Sequence, residues 1–193
     1  MRRGPLSHWA FAKASDWRKM RAMGDIFDSM LQFFEADGWP LSVAQDDALK
    51  MTFKGEHGEW TCFAQAREEQ KQMIFYSVCP ITVPNDRRAM VAEFITRANY
   101  GMILGNFELD LSDGEVRYKT SIDANGEELV IPLVKPVVYS NVLMMDKYLP
   151  GLSAVAYGNV DPQTAILQIE GTGADDDDDE DDDEDNGTGG YDA

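Results

Sequence analysis

The sequence predicts an α+β fold, an antiparallel sheet with helices packed on it, in the order α-βββ-α-ββ-α. Two segments fold back on themselves in registers that set apolar residues opposite apolar ones and bases opposite acids. Segments with apolar residues three and four apart stand before, between and after them. Apolar side chains make up 44 % of the 193 residues, enough for one substantial core.

The first helix is predicted from Gly24 to Gly38. Ile26, Phe27, Met30, Phe33 and Phe34 form its apolar stripe, Asp25 is its expected N-cap, and Gly38 followed by Pro40 stops it. Three strands follow. With Glu56-His57 as a hairpin tip, Lys54 faces Glu59, Phe53 faces Trp60, Met51 faces Cys62 and Leu49 faces Ala64. The third strand, Met73 to Cys79, is apolar on both faces and is expected at the centre of the sheet.

Pro84-Asn85-Asp86 opens the second helix, with Asn85 or Asp86 as cap. Val91, Phe94, Ile95 and Ala98 form its stripe, and Gly101 supplies a left-handed end. In the second hairpin, Asp113-Gly114 signals a type I′ turn. That tip sets Asp110 against Arg117, Glu108 against Lys119, Leu111 against Val116 and Leu109 against Tyr118. One face should be charged and wet and the other covered by helix; the charges read as surface pairs. Val137, Val138, Asn141, Val142, Met145, Tyr148 and Leu149 give a third helical stripe, which Pro150-Gly151 is expected to break or kink. A short terminal helix starts at Asp161-Pro162 and runs through Ala165, Ile166 and Ile169 to Gly171.

Charge divides the chain into three parts. Residues 1–22, a basic arm, hold six basic side chains against Asp16 alone. Trp9, Phe11 and Trp17 allow the arm either to dock on the domain or to stay free. Residues 23–171 form the expected domain. The segment 172–193 is an acidic tail in which Asp175 to Asp185 are consecutive carboxylates, and it cannot bury enough area to offset its ordering entropy. Three roles fit that run: a solvating tail, capture of a basic partner (the chain's own arm included), and mimicry of nucleic acid. The domain is itself acidic and offers no basic patch for a nucleic-acid backbone, so no nucleic-acid partner is expected. No apolar run approaches the about 18 residues of a membrane span, and no apolar core follows Arg2-Arg3 as in a signal peptide. The expectation is a cytoplasmic protein with no membrane partner.

Catalytic motifs are missing from the sequence. It has no G-x-S-x-G, phosphate-binding loop, dinucleotide fingerprint or H-E-x-x-H. Of the two histidines, His8 lies in the arm, and His57, on an exposed turn tip without a pocket, reads as a turn residue. Asp46, Asp47, Asp110 and Asp113 match no EF-hand spacing. Cys62 and Cys79 have no zinc or redox spacing and read as buried thiols. No catalytic residue, cofactor or metal is therefore assigned.

Several pieces, in order, resemble the YbjN-domain family, described as bacterial sensory transduction regulators. They are Gly38-Trp39, Gly58 to Cys62, Val83-Pro84 with Arg87 and Glu93-Phe94, Asn99-Tyr100-Gly101, Gly105 to Asp110, and Asp113 to Tyr118. The resemblance covers roughly residues 23–170 and implies a fold similar to type III secretion chaperones, often dimeric, with no catalytic residues to carry over. With the absent motifs and the apolar-rich small domain, it leads to the expectation of a non-enzymatic protein-binding module, chaperone-like or regulatory. The alternative is a small-molecule sensor or enzyme with a pocket between sheet and helices. Leu143 and Met144 lie off the third stripe and suggest a homodimer surface on that helix, or at a sheet edge. The candidate partner-binding residues are Leu143, Met144 and Tyr148 on that helix, and Asp175, Asp176, Asp177, Asp178 and Asp179 in the tail, where a basic protein partner is expected.

Overall fold

The five residues of the first predicted stripe are all buried on one helix, α1 (Asp25–Ala36). The structure is a computed structural model and describes residues 25–125 and 129–171; the expectations for residues 1–22 and 172–193 lie outside the described residues. After α1 come β1 (Leu41–Gln45), β2 (Ala48–Lys54), β3 (Glu59–Arg67), a 3-10 turn at Glu68–Gln70, and β4 (Gln72–Thr82). A second 3-10 turn, Asn85–Arg87, leads into α2 (Arg88–Asn99), then β5 (Asn106–Leu109), β6 (Glu115–Asp123), α3 (Ile131–Tyr157) and α4 (Pro162–Glu170).

The six strands form one sheet in the order β1-β2-β3-β4-β6-β5, antiparallel throughout. The β2–β3 register is the predicted one, from Lys54 opposite Glu59 to Leu49 opposite Ala64. β4 is central, as its two apolar faces require: Met73, Phe75 and Cys79 are buried, and Ile74, Tyr76 and Val78 are half-buried on the other side. α1 packs on β3, α2 on β5, α3 on β4 and β6, and α4 on α2 and α3. Helices and the inner sheet face thus enclose one core. Each Phe or Leu buried there contributes roughly 1.5–3 kcal/mol relative to exposure.

Asn141, the one polar member of the α3 stripe, is fully buried. Its amide nitrogen donates to the carbonyls of Phe75 and Tyr118 and to the Thr120 hydroxyl, each at 3.1 Å. A buried amide needs such partners, and these fix α3 across the β4–β6 seam.

Six details depart from the sequence expectation. β1 was not expected, because Leu41 to Gln45 is short and only half-buried at the sheet edge. The α1 amino terminus is satisfied from a distance: Glu68 accepts from the Ile26 and Phe27 amides at 3.2 and 2.8 Å, while Asp25 pairs with Lys71 instead of capping. At α2, neither Asn85 nor Asp86 caps; both lie in the preceding 3-10 turn, and Asn85 accepts from Arg88.

The second hairpin is slipped by two residues, with Glu108 opposite Arg117 and Leu109 opposite Val116. A two-residue slip keeps every side chain on its predicted face. Its turn is not type I′. Asp110 and Glu115 close a four-residue loop in which Gly114 alone has positive φ, +85°. Finally, α3 runs 27 residues through both Pro136 and Pro150 without a break, because burial on both sides of Pro150 outweighs the lost hydrogen bond. The terminal helix is as predicted: Asp161 accepts from the Thr164 amide at 2.9 Å, and Pro162 stands at the first turn.

Candidate interaction surface

The covered face of the sheet is filled, so recognition falls on what the helices leave open. The outer face of β3, β4 and β6 carries half-exposed Phe63, opposite Tyr76 in the register, with Ile74 and Val78 beside them. Arg117 lies over the Tyr76 ring at 4.6 Å. Glu108 binds Arg117 at 2.6 Å and also Lys119, so the predicted charged face exists with one acid shared by two bases. Burial raises the Glu108 pKa, but the hydrogen bonds from Lys119 and Arg117 outweigh it and hold the carboxyl below its ordinary value.

One edge of this sheet is guarded. The Asn99 side chain at the end of α2 accepts from the Phe107 amide at 2.7 Å and donates to the Phe107 carbonyl at 3.1 Å. It thereby occupies the outward backbone groups of Phe107 in β5 as a neighbouring strand would. Past it the chain turns at Gly101, with φ of +90°, into a loop that returns to β5 at Gly105. Tyr100 is 91 % exposed, Ile103 95 % and Leu104 47 %. The loop is nonetheless anchored, because the Tyr118 hydroxyl donates to the Leu104 carbonyl. Three large apolar side chains thus stand in solvent on a tethered loop. Scattered single apolar residues are ordinary on a surface; a cluster is less so.

Of the residues expected to meet a partner, Leu143 is 55 % exposed, and Met144 is half-buried against the core. Tyr148 points inward, 5 % exposed. Its ring meets Phe94 and Phe107 edge-on, and its hydroxyl donates to Glu170 at 2.8 Å. Sequence spacing already pointed this way, because Tyr148 sits on the core stripe while Leu143 sits off it, so naming Tyr148 as a partner contact went against the stripe. Asp175 to Asp179 lie outside the described residues. The Tyr100–Leu104 patch was not singled out from the sequence: Tyr100 reads there as part of the helix stop, and Ile103 and Leu104, apolar residues between Gly101 and Gly105 outside any periodic element, were a usable signal.

The cysteines are free and buried; burial pushes the Cys62 thiol up to about 12 and the Cys79 thiol up to about 11. Both are unsuited to nucleophilic work. His57 sits on the β2–β3 tip as predicted, yet the tip is not free. The Glu56 and His57 amides donate to Asp146 of α3 at 3.0 and 2.9 Å. An open cleft of about 540 Å³ lies at the β5–β6 end, lined by Glu108, Leu109, Asp110, Leu111, Glu115 and Arg117, and not between sheet and helices. No helix among the described residues is long and apolar enough to cross a membrane.

Fold and surface together define an α+β module: one antiparallel sheet backed by helices, with an exposed apolar loop beside a guarded edge. The chain belongs to the YbjN family. The family model described as "YbjN: Putative bacterial sensory transduction regulator" matches residues 27–129, more than half of its length. The crystal structure of YbjN from E. coli has a similar fold, with a TM-score of 0.53 at 13 % identity, covering 68 % of this chain and 92 % of that one. Two complexes also align. One is the ExsC–ExsE complex, with a TM-score of 0.48 at 13 % identity over 68 % of this chain and 96 % of that one. The other is the HopA1–SchA chaperone–effector complex, with a TM-score of 0.45 at 14 % identity over 65 % and 95 %. No curated protein matches the chain.

Proposed function

We propose that the chain is a non-enzymatic protein-binding module of regulatory or chaperone-like type, which docks a partner on the Tyr100–Leu104 loop. The observation that carries this is the exposure of Tyr100, Ile103 and Leu104 together on a loop tethered at both ends. Holding them in water forgoes about 25 cal/mol per Å² of apolar area, which a partner would recover. Recognition is by side chains and not by strand addition, since Asn99 already holds the outward groups of Phe107. Two further elements belong to this reading. Exposed Leu143 on α3 is the contact of a homodimer, and Asp175–Asp179 add a salt-sensitive attraction for basic segments of the partner.

Photo-crosslinking residues placed at positions 103 and 143 test the reading. Position 103 should capture a different protein, and Tyr100→Asp should abolish that product; position 143 should capture a second copy. If position 103 yields only self-crosslinks, or the captured protein is indifferent to Tyr100→Asp, the loop is not the docking surface.

A further inference from the structure

The β2–β3 tip and α3 meet in a cluster of side chains outside the docking loop. We propose that Glu56, His57 and Asp146 form a binding site for a divalent transition metal of the zinc class, bridging the hairpin tip and α3. One imidazole and two carboxylates converge there, with one ligand atom of each lying within 4.8 Å of the others. His57 Nδ1 stands 3.5 Å from Asp146 Oδ2, too far for a strong charged hydrogen bond. Two donors on one tetrahedral zinc, at bond lengths of about 2.0–2.1 Å, stand about 3.3–3.4 Å apart. A shared ion therefore fits this gap after a small adjustment. Glu56, exposed and long, supplies the third ligand, and water the fourth.

The carboxylate is already aimed. Its two oxygens accept from the Glu56 and His57 amides, an outer support of the kind that orients metal-binding carboxylates. The backbone is shaped for this approach. A Cβ on Gly55 would stand 2.2 Å from Asp146 Oδ1, and one on Gly58 would stand 2.7 Å from a Leu149 methyl. Glycine at position 55 is what lets the tip sit down on the helix in this way. The ligands come from positions about ninety residues apart in the chain, so sequence spacing could not show them. An ion here would cross-link sheet and helix and stabilise the native state by mass action.

The test uses the full chain, freed of metal with a chelator and titrated with ZnCl₂ by calorimetry, alongside His57→Ala and Glu56→Gln. Both residues are exposed, so the variants should melt like the parent without metal. The parent should take up one Zn²⁺ with a rise in Tm. His57→Ala should weaken binding by more than about tenfold and lose that rise, and Glu56→Gln should weaken it by about tenfold. CoCl₂ should give a visible absorption band in the parent that His57→Ala lacks. If His57→Ala binds Zn²⁺ as the parent does, the ion sits on His8 or the Asp175–Asp185 run and the proposal is overturned. Absence of saturable Zn²⁺ uptake by the parent overturns it equally.

Discussion

Gly114 concentrates two constraints at one residue. Its φ of +85° lies where side chains are disfavoured, and a Cβ there would stand 2.2 Å from the Val83 carbonyl oxygen, which accepts nothing less than a displaced strand end. Gly114 also donates to Asp110 and accepts from the Val83 amide, tying the β5–β6 turn to the end of β4. Gly114→Val should therefore cost at least the roughly 1–3 kcal/mol of a strained backbone, read as a lower urea midpoint at unchanged m; an unaltered midpoint would contradict the turn geometry. Glu108 gives a second prediction at this scale. Its carboxyl is held below the ordinary glutamate value in the folded state, so its contribution is present above that ordinary value, about 4.3, and is lost as pH falls through the lower folded one. The parent should lose stability over that acid range more steeply than Glu108→Gln, in urea midpoints followed against pH. Parallel curves would remove the shared Glu108 ion pair from the account.

Among the elements, β5 is a four-residue strand at one edge of the sheet. Asn99 is its guard, and the loop that follows Asn99 is the proposed docking surface. Asn99→Ala should leave the Phe107 amide without its partner, while Asn106 Nδ2 still reaches the Phe107 carbonyl at 3.2 Å, at a cost of about 1–3 kcal/mol. It should also open the edge to pairing between molecules, visible as concentration-dependent sedimentation that the parent lacks beyond its own assembly state. Loss of stability without any change in association would mean that the loop itself still covers the edge. α3 shows the opposite balance. Its two internal prolines would end an exposed helix, but Val134, Val138, Val142, Met145, Leu149, Leu152 and Val155 are all buried along it. Packing over that length outweighs the local cost of about 3 kcal/mol for an interior proline.

For the molecule as a whole, charge separates two modes of binding. An apolar loop is nearly indifferent to salt, whereas attraction between exposed opposite charges is screened over about 8 Å at physiological ionic strength. Comparing the full chain with a 1–171 version between about 50 and 300 mM salt should split partner affinity into a loop part that persists and a tail part that fades. The two proteins should melt alike at moderate salt. At low salt the shorter one should be slightly more stable, since tail and domain are both acidic. A truncated protein that melts several degrees lower in moderate salt would make the tail structural.

By itself the sequence determined what depends on near neighbours. The faces of α1, α2 and α3, the β2–β3 register, the cap at Asp161 and the central place of β4 were all legible in it, because periodicity and cross-strand pairing are local properties of the residue order. Tertiary structure decided what depends on distant partners. Glu68 caps a helix about forty residues away, Asn99 guards β5, α3 passes through Pro150, and Tyr100 and Ile103 stay in water. The hairpin slip of two residues belongs here as well. Faces are conserved at either register, so local pairing could not choose between them; the choice fell to the Gly114–Val83 contact and the Tyr118 hydroxyl, both made only when the whole sheet closes.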